Sequence, residues 1–116
     1  MQQVPTIDLV SAEKDLAILK PLDQACRDHG FFLLKNHGMD VEIEDMWRHS
    51  EKFFSSDALE KRRILRTRDK PLGYYDRELT KRKRDLKEVF DYMLPRDDRD
   101  DLNQWPQSDP EFKEVM

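Results

Sequence analysis

Residues 28–38 read DHGFFLLKNHG and hold two of the three histidines of the chain, each followed at once by glycine. The run FFLLK between them is apolar and of strand length, which predicts a strand buried on both faces. If residues 30–36 are extended at ~3.3 Å per residue, the two histidine backbones lie on the order of 25 Å apart. Ligands of one metal ion lie ~2 Å from it, so His29 and His37 do not share one. We therefore interpret the His-Gly pairs as a helix end and a turn that bracket a strand.

The sequence before this strand predicts a strand followed by a helix. Residues 4–9 read VPTIDL, which predicts a short edge strand because proline is tolerated at a strand start. Ser11 is placed to cap a following helix. Pro21 interrupts the helical pattern, so we expect the helix to restart with this proline in its first turn and to end at Gly30. We expect Cys26 to be a buried, inert thiol on the apolar face of that helix. The face comprises Leu19, Leu22, Cys26 and His29.

Helical spacing returns after the strand. Apolar residues predict a helix over 41–54, and Asp57 and Glu60 have the spacing of a capping box that starts another. Pro71–Gly73 indicates a loop. The stretch 84–95, RDLKEVFDYMLP, fits a helix and a strand equally well by periodicity.

The composition limits the classes of protein that the chain can represent. Charged residues make up 40% and apolar residues 37%, whereas an average globular domain has roughly 25% and ~45–50%. The core is therefore small or is completed by a partner. The net charge of −4 gives no overall attraction to nucleic acid or to an anionic membrane. A single cysteine, no basic-apolar leader and no apolar run of spanning length predict a soluble, cytoplasmic chain without a membrane partner.

The third histidine belongs to a His-x-acid pair, His49-Ser50-Glu51. This pair resembles part of a two-histidine, one-carboxylate iron site. Positions i and i+2 of a helix point about 200° apart, however, so we predict a solvated helix face here. Asp8 with the two earlier histidines forms another conceivable metal-binding trio, but no pattern selects it.

Residues 61–87 hold twelve basic and four acidic side chains, a local charge of +8. Tyr74 and Tyr75 lie within this segment, and aromatic rings among cations suit base stacking. The charges are dispersed, and acidic residues follow in the same chain. We favour a solvated surface that pairs with its own carboxylates, and nucleic-acid binding through residues 61–87 stays as an alternative.

The order and spacing of several motifs resemble a known family. The motifs are VPTIDL, ACRDHGFFLLKNHG, FF before ALEKRR, GYY, DLKEVFDY and NQWPQSDPEF. Together they resemble the N-terminal region of the 2-oxoglutarate- and Fe(II)-dependent oxygenases of the isopenicillin N synthase type, over nearly the whole chain. The resemblance implies an α+β fold, in which helices and a few short strands flank the double-stranded β-helix (jelly-roll) core of the parent enzyme, itself absent here. It also favours a strand for LKEVFDY.

The resemblance implies that no catalytic, metal or cofactor residue lies on this chain. Family members bind iron through a His-x-Asp pair and a later His, and hold the 2-oxoglutarate carboxylate with Arg-x-Ser. The 116 residues contain no His-x-Asp pair and no histidine beyond position 49, and their one Arg-x-Ser, at residues 48–50, does not follow such ligands as the family's does. Fe(II) and 2-oxoglutarate are thus cofactors of the parent alone. Tyr74, Tyr75 and Phe90 are candidates for lining the substrate entrance. The structural motif comprises His29, Gly30, Asn36, His37, Gly38, Trp105 and Pro106.

We expect residues 1–116 to be the N-terminal scaffold and pocket wall of an oxygenase that hydroxylates or desaturates a small organic substrate. We expect the chain to be a fragment truncated at its C-terminal end and inactive alone. Its partners would be the missing jelly-roll domain and, in the parent, the substrate. The apolar face that begins at Phe112 should then lack partners, so residues from about 108 onward fray and the fragment self-associates. A free-standing interaction module is the first alternative.

Overall fold

The structure is a computed structural model that describes residues 3–10 and 15–116. Contacts divide the chain into two units, Met1–Val41 and Glu42–Met116, each of which packs on itself. The mixture of helices and short strands agrees with the predicted α+β class. Within the described ranges, no helix has both the length and the apolar character needed to span a bilayer.

The first unit is built on a parallel pair of strands. Strand β1 (Thr6–Asp8) lies beside β2 (Leu33–Lys35), with Ile7 opposite Leu34. A 3₁₀ turn (Leu16–Ile18) and helix α1 (Leu19–His29) precede β2. A parallel pair requires such a crossover because the end of the first strand and the start of the second lie at opposite ends of the sheet.

The predicted boundaries of α1 are confirmed. Pro21 lies in its first turn, where the missing N–H breaks no intrahelical bond. Gly30 follows the last turn with φ of 76°, and its N–H donates to the carbonyl of Cys26 at 3.0 Å. The predicted cap at Ser11 lies outside the described residues.

Two burial predictions for the first unit are wrong. Leu33 and Leu34 are 56% and 42% exposed, so β2 is not buried on both faces. Cys26 is exposed rather than buried in the apolar face of α1. Among the described residues this sheet has two strands, and so small a sheet buries little on either face. Of the side chains that the structure describes in this unit, Ile7 and Ala25 are buried.

Helices α2 (Asp40–Ser55) and α3 (Ala58–Arg62) follow, close to the predicted bounds. The carboxylate of Asp57 accepts the Glu60 N–H at 2.9 Å, which confirms the predicted helix start. Strand β3 (Gly73–Tyr75) follows. Its first residue, Gly73, was expected to lie in a loop. Two short strands, β4 (Leu79–Thr80) and β5 (Lys83–Arg84), make a separate hairpin.

Strand β6 (Val89–Asp91) pairs antiparallel with β3, with Tyr74 opposite Phe90. The strand that the resemblance favoured for LKEVFDY is therefore confirmed. The chain continues through a loop to a final short helix, α4 (Phe112–Val115).

Aromatic side chains form the core of the second unit. The Phe53 ring centroid lies 6.0 Å from that of Tyr74, 5.3 Å from Phe90 and 5.6 Å from Phe112. Phe112 is 1% exposed and is the most deeply buried of these residues. The expectation that its side chain lacks partners is therefore wrong. The core also draws on Ile64, Phe54, Leu65, Trp105 and Met116.

Gly73 lies where three backbone segments approach one another. The Tyr74 N–H donates to the Ile64 carbonyl at 2.9 Å, which fixes β3 beside the chain leaving α3. The side-chain amide of Gln104 donates to the carbonyl of Leu72 at 2.8 Å. Gly73 has φ of 112°, and a Cβ there would lie 2.4 Å from the Ile64 oxygen.

Gly73→Ala should destabilise the chain by roughly 3 kcal/mol, because a positive φ and a backbone clash act together. Gly30→Ala is the matched control. Gly30 also has a positive φ, but a Cβ there would meet no atom within 4 Å. We expect the control to cost roughly 1 kcal/mol. Urea unfolding of both variants measures the difference, and equal costs would contradict the close packing around Gly73.

Candidate functional site

The predicted entrance residues lie on the two strands of the β3–β6 sheet. Tyr74 and Phe90 are opposite one another in the register, so their side chains share one face. Tyr75 is the next residue on β3 and points to the other face. The sheet thus brings two of the three aromatic residues together. Their role at a substrate entrance stays a prediction.

The hydroxyl of Tyr74 is held by a small polar network. It is 3% exposed, and its hydroxyl donates to Oε1 of Glu88 at 2.6 Å. The same oxygen accepts from Nζ of Lys61 at 2.5 Å, and this ammonium also donates to the carbonyl of Phe54 at 3.0 Å. The ring orientation is therefore fixed by a charged pair as well as by packing.

The network changes the protonation of its members. Burial, reinforced by the hydrogen bond to Glu88, raises the pKa of Tyr74 to about 12. Hydrogen bonds from Lys61 and Tyr74 lower the pKa of the Glu88 carboxyl. At neutral pH the phenol is therefore a neutral donor and the Glu88 carboxylate the charged acceptor of its hydrogen bond.

Tyr75 is covered by a cation rather than by the core. The guanidinium carbon of Arg66 lies 3.7 Å from the ring centroid, close enough for a cation–π contact. Arg66 also bonds to Asp91 at 3.3 Å. Tyr74 is therefore buried, and one face of the Tyr75 ring is already occupied, which leaves at most the other face of Tyr75 for a base to stack upon.

Phe90 is half-buried and joins the core to a group of partly exposed rings. Its centroid lies 6.0 Å from Tyr92 in a stacked arrangement and 5.9 Å from Trp105. The Trp105 Nε1 is buried and has no hydrogen-bond partner among the described residues. Pro106 is buried beside it. The NQWP motif thus supplies the Gln104 amide to the backbone and the Trp105 ring to the aromatic cluster.

The histidine–glycine motif shapes backbone turns. Asn36 has φ of 56°, and its amide donates to Asp8 at 3.0 Å, which joins the ends of β1 and β2. Nδ1 of His37 accepts the Met39 N–H at 3.0 Å, next to Gly38 with φ of 73°. These contacts support a turn at the end of β2.

At the other end of β2, the ring of His29 meets Phe31 edge-on at a centroid distance of 6.5 Å. His29 itself is half-buried at the end of α1. The His29 ring thus makes a packing contact next to the glycine that ends the helix.

His49 lies in the interior, so the prediction of a solvated helix face is wrong. It is 6% exposed, and its Nδ1 lies 2.5 Å from Oδ2 of Asp109, itself 6% exposed. An ionised carboxylate only accepts, which places a proton on Nδ1. Nζ of Lys52 approaches the other Asp109 oxygen at 3.6 Å. Asp109 therefore binds α2 rather than capping the last helix, which begins after Glu111.

A cavity of about 350 Å³ with several charged residues in its lining adjoins this pair. Its lining carries cations and carboxylates in equal number, so it favours neither an anionic nor a cationic ligand. Nε2 of His49 lies 3.8 Å from Oε2 of Glu111. The cavity is lined by Arg48, His49, Lys52, Asp109, Pro110 and Glu111.

Half of the twelve cations of the basic segment pair with carboxylates of the same unit. Arg62 bonds to Asp76 at 2.7 Å, and Lys87 to Glu78 at 2.6 Å. Lys61 is a further cation with a carboxylate partner, because it pairs with Glu88. These pairs favour the solvated, self-paired surface over a nucleic-acid site.

The chain matches known oxidoreductases. A family model described as "non-haem dioxygenase in morphine synthesis N-terminal" covers residues 4–108. Gibberellin 20 oxidase 1 of Arabidopsis thaliana is 38% identical over 61% of this chain and 20% of its own length. The homoarginine-6-hydroxylase of Glycine max is 34% identical over 87% of this chain and 34% of its own. Flavanone 3-dioxygenase 2 of Oryza sativa subsp. japonica is 29% identical over 98% and 34%. No solved structure gives a significant match.

The chain belongs to the N-terminal domain family of the 2-oxoglutarate- and Fe(II)-dependent oxygenases. It spans between a fifth and about a third of the length of these relatives.

The described residues do not fit the iron that this family implies. Across 3–10 and 15–116, no three His, Cys, Asp or Glu side chains are grouped so as to hold a metal ion. Nδ1 of His37 is bonded to a backbone N–H, and Nδ1 of His49 is bonded to a carboxylate.

Removing the Tyr74 hydroxyl should change how stability depends on pH. The folded state holds this phenol proton more tightly than the unfolded chain, so its contribution is complete below about pH 10 and is lost as pH rises toward 12. At neutral pH, Tyr74→Phe should cost about 1 kcal/mol. The difference in the free energy of unfolding between wild type and variant should narrow above about pH 10 and then change sign, so that the variant becomes the more stable protein. Urea midpoints across this range, with Tyr75→Phe as control, measure it. A constant gap would contradict the shifted pKa.

Breaking the His49–Asp109 pair should be costly because it leaves a buried carboxylate without its main donor. We expect His49→Leu to cost roughly 3 kcal/mol, and the double variant with Asp109→Leu to recover part of that loss. Lys52→Gln, at the exposed cation of the cluster, should cost under about 1 kcal/mol. A double-mutant cycle in urea gives the coupling. A coupling near zero would show that the pair does not act as a unit.

Proposed function

We propose that this chain is the N-terminal scaffold and pocket wall of a 2-oxoglutarate- and Fe(II)-dependent oxygenase that hydroxylates or desaturates a small organic substrate. The observation that carries the proposal is the family match over residues 4–108, in a chain about a third as long as its relatives. In this proposal the chain works in the cytoplasm beside a C-terminal jelly-roll domain.

The side chains that are present indicate which roles this chain would have and which roles the rest of the enzyme would have. The missing donor set means that iron and 2-oxoglutarate would be held by residues outside this chain. The chain's own contribution is a wall whose rings are held by packing and by a hydrogen bond. Tyr74 is anchored to Glu88 at 2.6 Å, and Phe53 packs behind it. A wall fixed in advance loses less conformational entropy when a substrate binds.

Phe90 is the entrance candidate that the geometry supports best. It is half-buried in the aromatic cluster and stacks on Tyr92, which is 42% exposed. An apolar rim of this kind suits the hydrocarbon part of a small organic substrate. Tyr74 would pack beside Phe90 on the same face of the sheet, and Tyr75 would lie on the opposite face.

The isolated chain should bind no Fe(II) at a defined site and consume no 2-oxoglutarate, because the donors for both lie elsewhere. Anaerobic calorimetry with Fe(II) or Mn(II) measures binding, and 2-oxoglutarate consumption is followed in parallel. Saturable one-to-one binding that disappears with His29→Ala, His37→Ala or His49→Ala would contradict the proposal.

The gene supplies the complementary test. We expect the reading frame downstream of the Met116 codon to encode His-x-Asp, a later His and Arg-x-Ser, and its full product to consume 2-oxoglutarate. A stop codon directly after Met116 would contradict the scaffold proposal and favour the interaction module.

A further inference from the structure

Strands β4 and β5 form a sheet of their own, which we name the basic ribbon (residues 79–84). Leu79 pairs with Arg84 and Thr80 with Lys83, and the Asp85 N–H extends the ladder to the Glu78 carbonyl at 2.8 Å. Within the described part of the chain, neither strand pairs with a third. Each outer edge therefore leaves backbone donors and acceptors open to another strand.

The turn of the basic ribbon is made by residues that do not favour it. Lys81 has φ of 51° and Arg82 φ of 66°. Two-residue hairpin turns with positive φ normally use Asn, Asp or Gly, because a larger side chain strains the backbone there. Local turn stability therefore does not explain two long cations at this position.

The charge of the basic ribbon is also unsatisfied. Lys81, Arg82 and Lys83 are exposed, and none has a carboxylate partner among the described residues. Arg84 makes only a 3.8 Å contact with Asp76. Most of the earlier cations of the basic segment, by contrast, are paired. Three of the unpaired cations of residues 61–87 are thus consecutive at this tip, whereas the other three, Arg68, Lys70 and Arg77, are spread along the chain.

Exposed leucines lie beside these cations. Leu79, on the same face as Arg84, is 70% exposed, and Leu86, just after the ribbon, is 92% exposed. A surface that combines apolar and cationic side chains is best matched by a segment that alternates apolar and acidic residues.

We propose that the basic ribbon is a docking surface for an extended acidic segment of a partner protein, which adds to it as a third strand. Main-chain hydrogen bonds to the free edge would provide the attachment, and the three unpaired cations would select acidic segments over neutral or basic ones. This interaction goes beyond the proposed oxygenase role and does not depend on it.

Two other anionic partners fit less well. Single-stranded nucleic acid needs rings for stacking, and the basic ribbon has none, while Tyr74 is buried and Tyr75 lies under Arg66. A membrane would gain attraction from only three free cations and two leucines, with the acidic residues 97–101 in the same unit opposing it.

The test uses the isotope-labelled chain and a short synthetic peptide in which Glu and Val alternate. We expect amide shifts concentrated at residues 78–86. The triple variant Lys81→Gln, Arg82→Gln, Lys83→Gln should bind about tenfold more weakly, since three exposed ion pairs are lost. The matched control replaces the exposed Arg68, Lys70 and Lys113 with Gln, which removes the same charge elsewhere, and should bind like the wild type.

A second peptide separates strand addition from simple charge attraction. It keeps every Glu but carries proline in place of each Val, so it lacks half of the strand N–H donors, and it should bind much more weakly. Equal binding of both peptides, or equal weakening by both triple variants, would overturn the proposal. So would tighter binding of a DNA oligonucleotide or of phosphatidylserine vesicles through the same cations, or self-association of the chain through residues 97–101.

Discussion

The second unit depends on a close approach of backbone segments at Gly73. The strand that starts there bonds to the carbonyl of Ile64 on one side and to β6 on the other, and Gln104 closes the remaining side. Only a residue without a side chain fits between them. Once β3 is held in this position, Tyr74 points into the core and Phe53 has a ring to pack against. The aromatic cluster is thus a consequence of backbone geometry as much as of hydrophobic content.

The local features of the fold were predictable because their causes are local. Gly30 ends a helix and Asp57 starts one through the conformation or hydrogen bond of a single residue. The strand at 89–91 was ambiguous, because its apolar residues fit both periods, and only the family resemblance decided it. Burial was predicted less well. The apolar run of β2 indicates a buried strand, but a two-stranded sheet leaves Leu33 and Leu34 exposed.

The long-range contacts could not be predicted from patterns. His49 and Asp109 are separated by 60 positions, and no spacing rule joins a histidine in one helix to an acid beyond a loop. Gln104 reads as an ordinary surface residue, although it bonds to a backbone carbonyl 32 positions earlier. At the candidate entrance, the residue types pointed to the β3–β6 sheet, but only the strand register shows that Tyr74 and Phe90 share a face that Tyr75 does not.

The buried ammonium of Lys61 has a consequence for the chemistry of the chain. It donates to Glu88 and to a backbone carbonyl and is 9% exposed, whereas Lys81 and Lys83 lie in solvent. Acylating reagents require an accessible, deprotonated amine. Lysines of the basic ribbon will therefore react while the second unit is folded, and Lys61 will react only when its ammonium is released from Glu88 and from the Phe54 carbonyl. The extent of acylation at this one side chain thus measures how often the unit opens, without denaturant and in mixtures where no optical signal can be read.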